Sequence, residues 1–272
     1  MPSTKQTIDE LLHLASLHKD VPDANYLVDK YWSQGRTVYG GLSAAMLYMA
    51  SKSQIHSLRV LRSISTNFVG PLLVDVPFTI QVEVIREGKN VSQVQARAIQ
   101  EDKVAVVAQC CFGENRASKI SVKNAELHDL PTPTNAKFIP QIPKVTPKYF
   151  RHIDLSINDG GIPFTGKSST SYGGWMRYTT APENITDGHI IGLIDAWPPT
   201  VIQMLKWPAP ASTINWNLEF IHPHRDVKPK DWFAYKSHTR HADAGYAHSE
   251  ATIWDSHGKV IALSRQTIAV FD

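Results

Sequence analysis

The chain carries one strand pattern twice, and the two copies differ in polarity. In the first half, an alternating segment at residues 58–67 runs into Phe68-Val69-Gly70-Pro71. In the second, residues 212–219 run into Phe220-Ile221-His222-Pro223. Each mark is followed by a long hairpin region that closes on a Lys-Val strand, beginning at Lys103 and at Lys259. Alignment on Phe68 and Phe220 sets Thr213 opposite Leu61, and alignment on the two lysines sets Gln266 opposite Cys110. Alternation with a period of two marks strands with one buried face. A duplicated scaffold that is polar in one copy and apolar in the other predicts one working site, not two.

At 272 residues the chain has room for two such units, each large enough to bury a core. The expected division is residues 1–115 for the first unit, 116–150 for a linker and 151–272 for the second. The linker is marked by prolines at 131, 133, 140, 143 and 147, and its length suits a path across a sheet. Residues 7–18 have helical spacing with a capping residue at Thr7. Residues 26–32 read as a short strand, and the glycine-rich turn 35–41 feeds a helix over 42–53. That helix is apolar on nearly every side, so it belongs in the interior. Strands are predicted at 58–67, 76–86, 91–100 and 104–112, then at 171–180, 212–222, 231–239, 247–255 and 260–271. Between the two sets, residues 189–206 carry a helical pattern broken by Pro198-Pro199. Either a helix starts near Ala196 with Asp195 as its N-cap, or a longer helix kinks there.

Several functions are excluded early. A net charge of +3 without a long basic run argues against nucleic acid as a partner. No apolar run approaches the roughly 18 residues of a membrane span. The N-terminus lacks the apolar stretch of a signal peptide, and the adjacent Cys110 and Cys111 read as reduced, buried thiols. A cytoplasmic protein is expected. There is no G-x-S-x-G elbow and no phosphate-binding loop, and Gly40-Gly41 does not complete a dinucleotide fingerprint. The histidine pairs 222/224 and 238/241 have no acidic or cysteine partner at ligand spacing, so no metal and no cofactor is expected. Arg240, His241 and His248 are candidates for a basic rim that would face phosphates.

Four segments together resemble the acyl-CoA thioesterase II family of double-hotdog thioesterases. They are Gly40-Gly41 opening an apolar helix; residues 82–90 followed by Arg97-Ala98; Leu193-Ile194-Asp195-Ala196-Trp197-Pro198-Pro199; and the pair Ser212-Thr213-Ile214 with Ser264-Arg265-Gln266. The resemblance implies an α+β double hotdog, with two antiparallel sheets each wrapped around a long apolar helix and joined edge to edge. It implies hydrolysis of an acyl-CoA to free acid and CoA, in a homodimer or higher homo-oligomer. It also implies that Asp195, Thr213 and Gln266 position the attacking water. The family often has Asp two residues after the Thr, where this chain has Asn215, a residue that cannot act as a base. Two further readings of the same scaffold stand beside this one: a non-catalytic acyl-thioester or lipid-binding protein, and an enzyme acting on carrier-protein thioesters.

The residue types suit the chemistry. A buried carboxylate can take a proton from water near neutrality, and Thr and Gln can orient that water without adding charge. Glycine at 41 lets substrate approach a helix N-terminus, so its amide is a candidate oxyanion donor. Read singly, each has an ordinary alternative. Asp195 can cap a helix, Thr213 can be a β-former, and Gln266 can face solvent. Trp197, Trp207 and Trp216 can line an acyl pocket or pack the core.

Overall fold

The computed structural model describes residues 5–123, 126–133 and 146–272. Prolines 140 and 143 of the expected linker lie outside them. Helix α1, Ile8–Ser16, opens with a capping box in which Thr7 and Glu10 satisfy each other's backbone amides. The strand expected at 26–32 is shorter than the pattern suggested. Strand β1 is Asn25–Tyr26, and Lys30–Trp32 forms a 3-10 turn. The Asp29 carboxylate caps that turn at the Tyr31 amide, which draws the backbone out of the extended state. Two short strands, β2 (Ser33–Gln34) and β3 (Thr37–Val38), form a small separate ribbon.

Helix α2, Gly40–Ser53, is the interior helix that its composition demanded, with Leu42, Ala45, Met46 and Leu47 all buried. It lies across the strands of the first meander: β4 (Val60–Phe68), β5 (Phe78–Glu87), β6 (Val91–Gln100) and β7 (Lys103–Gly113). The second half begins with an edge strand that the pattern did not reveal, β8 (Ile153–Asp159), followed by β9 (Ser171–Tyr178) and helix α3 (Asp187–Ile194). Strands β10 (Ala211–Phe220), β11 (Phe233–Asp243), β12 (Tyr246–Trp254) and β13 (Val260–Val270) complete it.

The two sets of strands join edge to edge, as expected, and so form one continuous sheet. Its 11 strands run β1-β5-β6-β7-β4-β10-β13-β12-β11-β9-β8, and β4 pairs antiparallel with β10 at the seam. The second helix is not long: α3 has eight residues and stops where Asp195 and the two prolines follow. Pairing at the seam removes two strand edges that would otherwise be open to other chains. The buried core is continuous through both halves, and α2 packs on α3.

The internal repeat is exact enough to read from register. Phe68 pairs with Val106, and its counterpart Phe220 pairs with Ala262. The β-bulge after Leu61 recurs after Thr213, and the one after Val84 recurs after Thr239. At the seam Ser65 faces Asn217, its own counterpart, so a pseudo-twofold axis passes between them. Part of the linker, around residues 126–131, lies against β9 and β12 of the second half. There the Trp175 and Trp254 indoles donate to the carbonyls of Pro131 and Glu126.

Candidate active site

Asp195, Thr213 and Gln266 come from three elements and meet at one place. Asp195 is the C-cap of α3, not the N-cap of a following helix. Pro198 and Pro199 cannot donate helical hydrogen bonds, so the chain leaves the helix and resumes as a short 3-10 turn at Thr200–Gln203. Thr213 sits at the β10 bulge, and Gln266 lies on the adjacent β13. The Thr213 hydroxyl donates to Gln266 Oε1 at 3.3 Å, and Gln266 Nε2 donates to Asp195 Oδ1 at 3.3 Å. The chain of bonds orients the amide and leaves Oδ2 of Asp195 unengaged by Gln266.

The carboxylate is enclosed. Asp195 keeps only a partly exposed edge, and that edge faces a cavity of about 680 Å³. Burial pushes its carboxyl up to about 7, against smaller lowering effects from the Gly41 amide and the Gln266 side chain. Its place at a helix C-terminus acts in the same direction as burial, because the helix dipole disfavours an anion there. The Gly41 amide, the candidate oxyanion donor, lies close enough to this carboxylate to favour its charged form. A Cβ on Gly40 would stand 2.8 Å from Asp195 Oδ2 and 3.1 Å from the Phe68 ring. Glycine at that position leaves room beside Asp195 Oδ2, the oxygen that Gln266 does not engage.

Two tyrosines brace the segment, and only one sits near a recognisable motif. Tyr39 precedes the two glycines and donates to the Gly192 carbonyl at 2.6 Å. Tyr149, from the end of the linker, stacks on it at 4.1 Å and donates to the Ala196 carbonyl. Burial holds both phenols well above the usual range, so they remain neutral donors. The cavity walls are mostly apolar, with Val38, Phe68, Leu72, Phe150, Phe164 and Ile202 among them. Phe164 lines it with a left-handed backbone, φ 63°, a conformation that costs a non-glycine residue about 1–3 kcal/mol and clusters at ligand sites.

The remaining candidates separate cleanly. Trp197 lines the cavity while stacking on Tyr235 at 4.8 Å. Trp216 is core, its indole donating to Ser264 Oγ at 2.9 Å, and Trp207 is 81% exposed. Asn215 bonds Asn67 across the seam and does not line the cavity. Arg240 is ion-paired with Glu250, and His241 faces His248 across β11 and β12. None of these last three lines the cavity. Applying the repeat, with α2 and α3 aligned on their first residues, converts Asp195, Thr213 and Gln266 into Tyr48, Leu61 and Cys110. Leu61 and Cys110 are fully buried, and burial pushes the Cys110 thiol up to about 12. None of these three counterparts supplies a base in place of the carboxylate.

Residues 28–113 match the family model of the acyl-CoA thioesterase N-terminal domain, and residues 125–270 match that of the C-terminal domain. The chain belongs to the acyl-CoA thioesterase family. Solved structures share its hotdog fold. One is a conserved protein of unknown function from Alicyclobacillus acidocaldarius, with a TM-score of 0.78 and 20% identity over 91% of this chain and 92% of that one. Another is an acyl-CoA thioesterase II from Mycobacterium marinum, with a TM-score of 0.71 and 17% identity over 86% and 90%. No curated protein sequence matches the chain. Among the described residues no helix is long and apolar enough to cross a membrane. Within the family's two-domain frame, the polar trio lies wholly in the C-terminal match, while the glycines at its side come from the N-terminal one.

Proposed function

We propose that this thioesterase-family protein hydrolyses acyl-CoA thioesters to free acid and CoA by direct attack of water, with no covalent intermediate. The observation that carries the reading is the bonded chain Thr213–Gln266–Asp195 at the wall of a large apolar cavity. In this reading a water sits on Asp195 Oδ2, and the carboxylate takes its proton as the oxygen bonds the thioester carbonyl carbon. The tetrahedral intermediate then collapses with cleavage of the C–S bond, and the proton passes from Asp195 to the departing thiolate. A carboxyl held near 7 is matched to both steps, because it can accept and return a proton near neutral pH. Gln266 and Thr213 serve as positioning residues. The Gly41 amide orients the base, and the open face over Gly40 admits the reacting carbonyl. The apolar walls suit an acyl chain.

The test is turnover of an acyl-CoA panel, followed by release of the free thiol. Thr213→Val and Gln266→Ala are each expected to lower kcat about 10- to 100-fold with little change in KM, since each removes orientation and not binding. Stabilisation of the protein by acyl-CoA without thiol release would sink the catalytic reading and favour a binding protein.

A further inference from the structure

The pseudo-twofold mate of the polar site is not simply an empty copy. The loop that borders the cavity in the first half, Gly70-Pro71-Leu72, has His222-Pro223-His224 as its counterpart. Where Gly40 opens α2 over Asp195, Asp187 opens α3 and accepts from the Tyr48 hydroxyl at 3.5 Å. The mate position is thus filled with nitrogen and oxygen donors where the cavity has glycine and an apolar side chain.

The donors converge. Asp187, His222 and His224 each place one ligand-type atom within 4.8 Å of the other two. His222 Nε2 stands 3.4 Å from Asp187 Oδ2, and His224 Nδ1 stands 3.6 Å from Oδ1. Bonds of about 2.1 Å to a tetrahedral ion put neighbouring ligands roughly 3.4 Å apart, close to these two separations, which run to the two oxygens of one carboxylate. A second observation points to a missing partner. The His222 side chain is only 8% exposed, and its Nε2, the atom that faces Asp187, has no hydrogen-bond partner. Buried polar atoms are seldom left unmatched. The rings lie 4.1 Å apart, with Phe220 against both. The nearby Lys52 ammonium donates to the carbonyls of Ser57 and Arg59.

We propose that Asp187, His222 and His224 bind one zinc-class divalent ion, with solvent completing the tetrahedron and Tyr48 holding the carboxylate from behind. Two imidazoles and a carboxylate are a donor set for zinc, not for calcium or magnesium, which prefer oxygen alone. The ion would join the N-terminus of α3 to the segment leaving β10. Those two elements carry Asp195 and Thr213 at their other ends. The ion would therefore brace the frame of the polar site without touching substrate.

The test uses the full-length protein dialysed against EDTA, titrated calorimetrically with ZnCl2 and, separately, with CoCl2 followed by visible absorption. One ion per chain and a tetrahedral cobalt spectrum without a thiolate band are expected. Saturating zinc is expected to raise Tm by roughly 5–10 °C. The double variant His222→Ala/His224→Ala is expected to lose binding by at least about 100-fold, more than an outer-shell loss costs. His241→Ala/His248→Ala, an exposed pair elsewhere, is expected to bind as the wild type does. His224→Gln gives a gentler variant should the double one fold poorly, and it too is expected to lose the cobalt spectrum. No saturable binding to the wild-type protein overturns the proposal, as does binding that survives in the 222/224 variants or is abolished only in the 241/248 pair.

Discussion

Replacing Asp195 with asparagine is expected to lower kcat about 10³-fold while making the protein more stable at pH 8. The first effect follows from removing the group proposed to take the proton, a contribution of about 10²–10⁴ in rate for a positioned base. The second follows from the same burial. The carboxyl titrates near 7 in the folded chain, against an ordinary value of 3.8. The folded state therefore holds that proton more tightly than the unfolded state does. Stability is greatest below the ordinary value, falls as pH rises from about 4 to about 7, and is level above that. Asparagine removes the cost of the buried charge, so the variant should gain roughly 2–4 kcal/mol at pH 8 and almost nothing at pH 4. Thermal melts of both proteins at the two pH values measure this directly. The wild-type kcat/KM should rise tenfold per pH unit below about 7 and flatten above it. A profile with no inflection between pH 6 and pH 8, or an asparagine variant with full turnover, would remove Asp195 from the chemistry.

Gly40→Ala and Gly41→Ala should separate two roles that lie one residue apart. At Gly40 the new Cβ meets Asp195 Oδ2 and Phe68, which border the open space of the cavity. The fold should survive, with Tm within a few degrees of wild type. Turnover should fall about 10- to 100-fold, because the methyl occupies the space beside Asp195 Oδ2, where the proposed water would sit. At Gly41 the Cβ would lie 2.6 Å from Tyr39 Oη and 2.9 Å from Asp195 Cβ. Tyr39 is fully buried and tied to Gly192, so it cannot step aside freely. That variant should lose about 1–3 kcal/mol of stability as well as activity. Steady-state kinetics with a parallel Tm measurement distinguishes the two. Unchanged kcat in Gly40→Ala would show that the reacting water sits elsewhere.

Much of this was legible before the structure, and the particulars show why. The repeat was visible because Phe68 and Phe220 occupy the same pleat position and cap the same strand. The register pairs and both bulges follow it. The interior helix was visible because 42–53 has no polar face. Asp195, Thr213 and Gln266 stood out through the family resemblance and not through any local pattern, since each alone is an ordinary residue in an ordinary setting. Tyr149 was hidden because its only role is a contact made from the end of a linker. That Gly41 comes close to a carboxylate from the other half was hidden too, because nothing along the chain links the two. Asp187 escaped notice beside His222 and His224 for the same reason. An acidic residue at the start of one helix and two histidines after a distant strand share no sequence period.

Local periodicity and chain punctuation were sufficient to determine two homologous meanders, one interior helix and an asymmetry of polarity between the copies. Those features depend on which face of a strand or helix is apolar, a property that neighbours along the chain decide. Only the tertiary structure decided that the seam runs between β4 and β10, that α3 ends at Asp195, and that the carboxylate is enclosed closely enough to hold a proton near neutral pH. Burial and hydrogen-bond partners are supplied by residues remote in sequence, so the strength of a base, and the pairing of donors that makes a site, exist only once the halves have packed together.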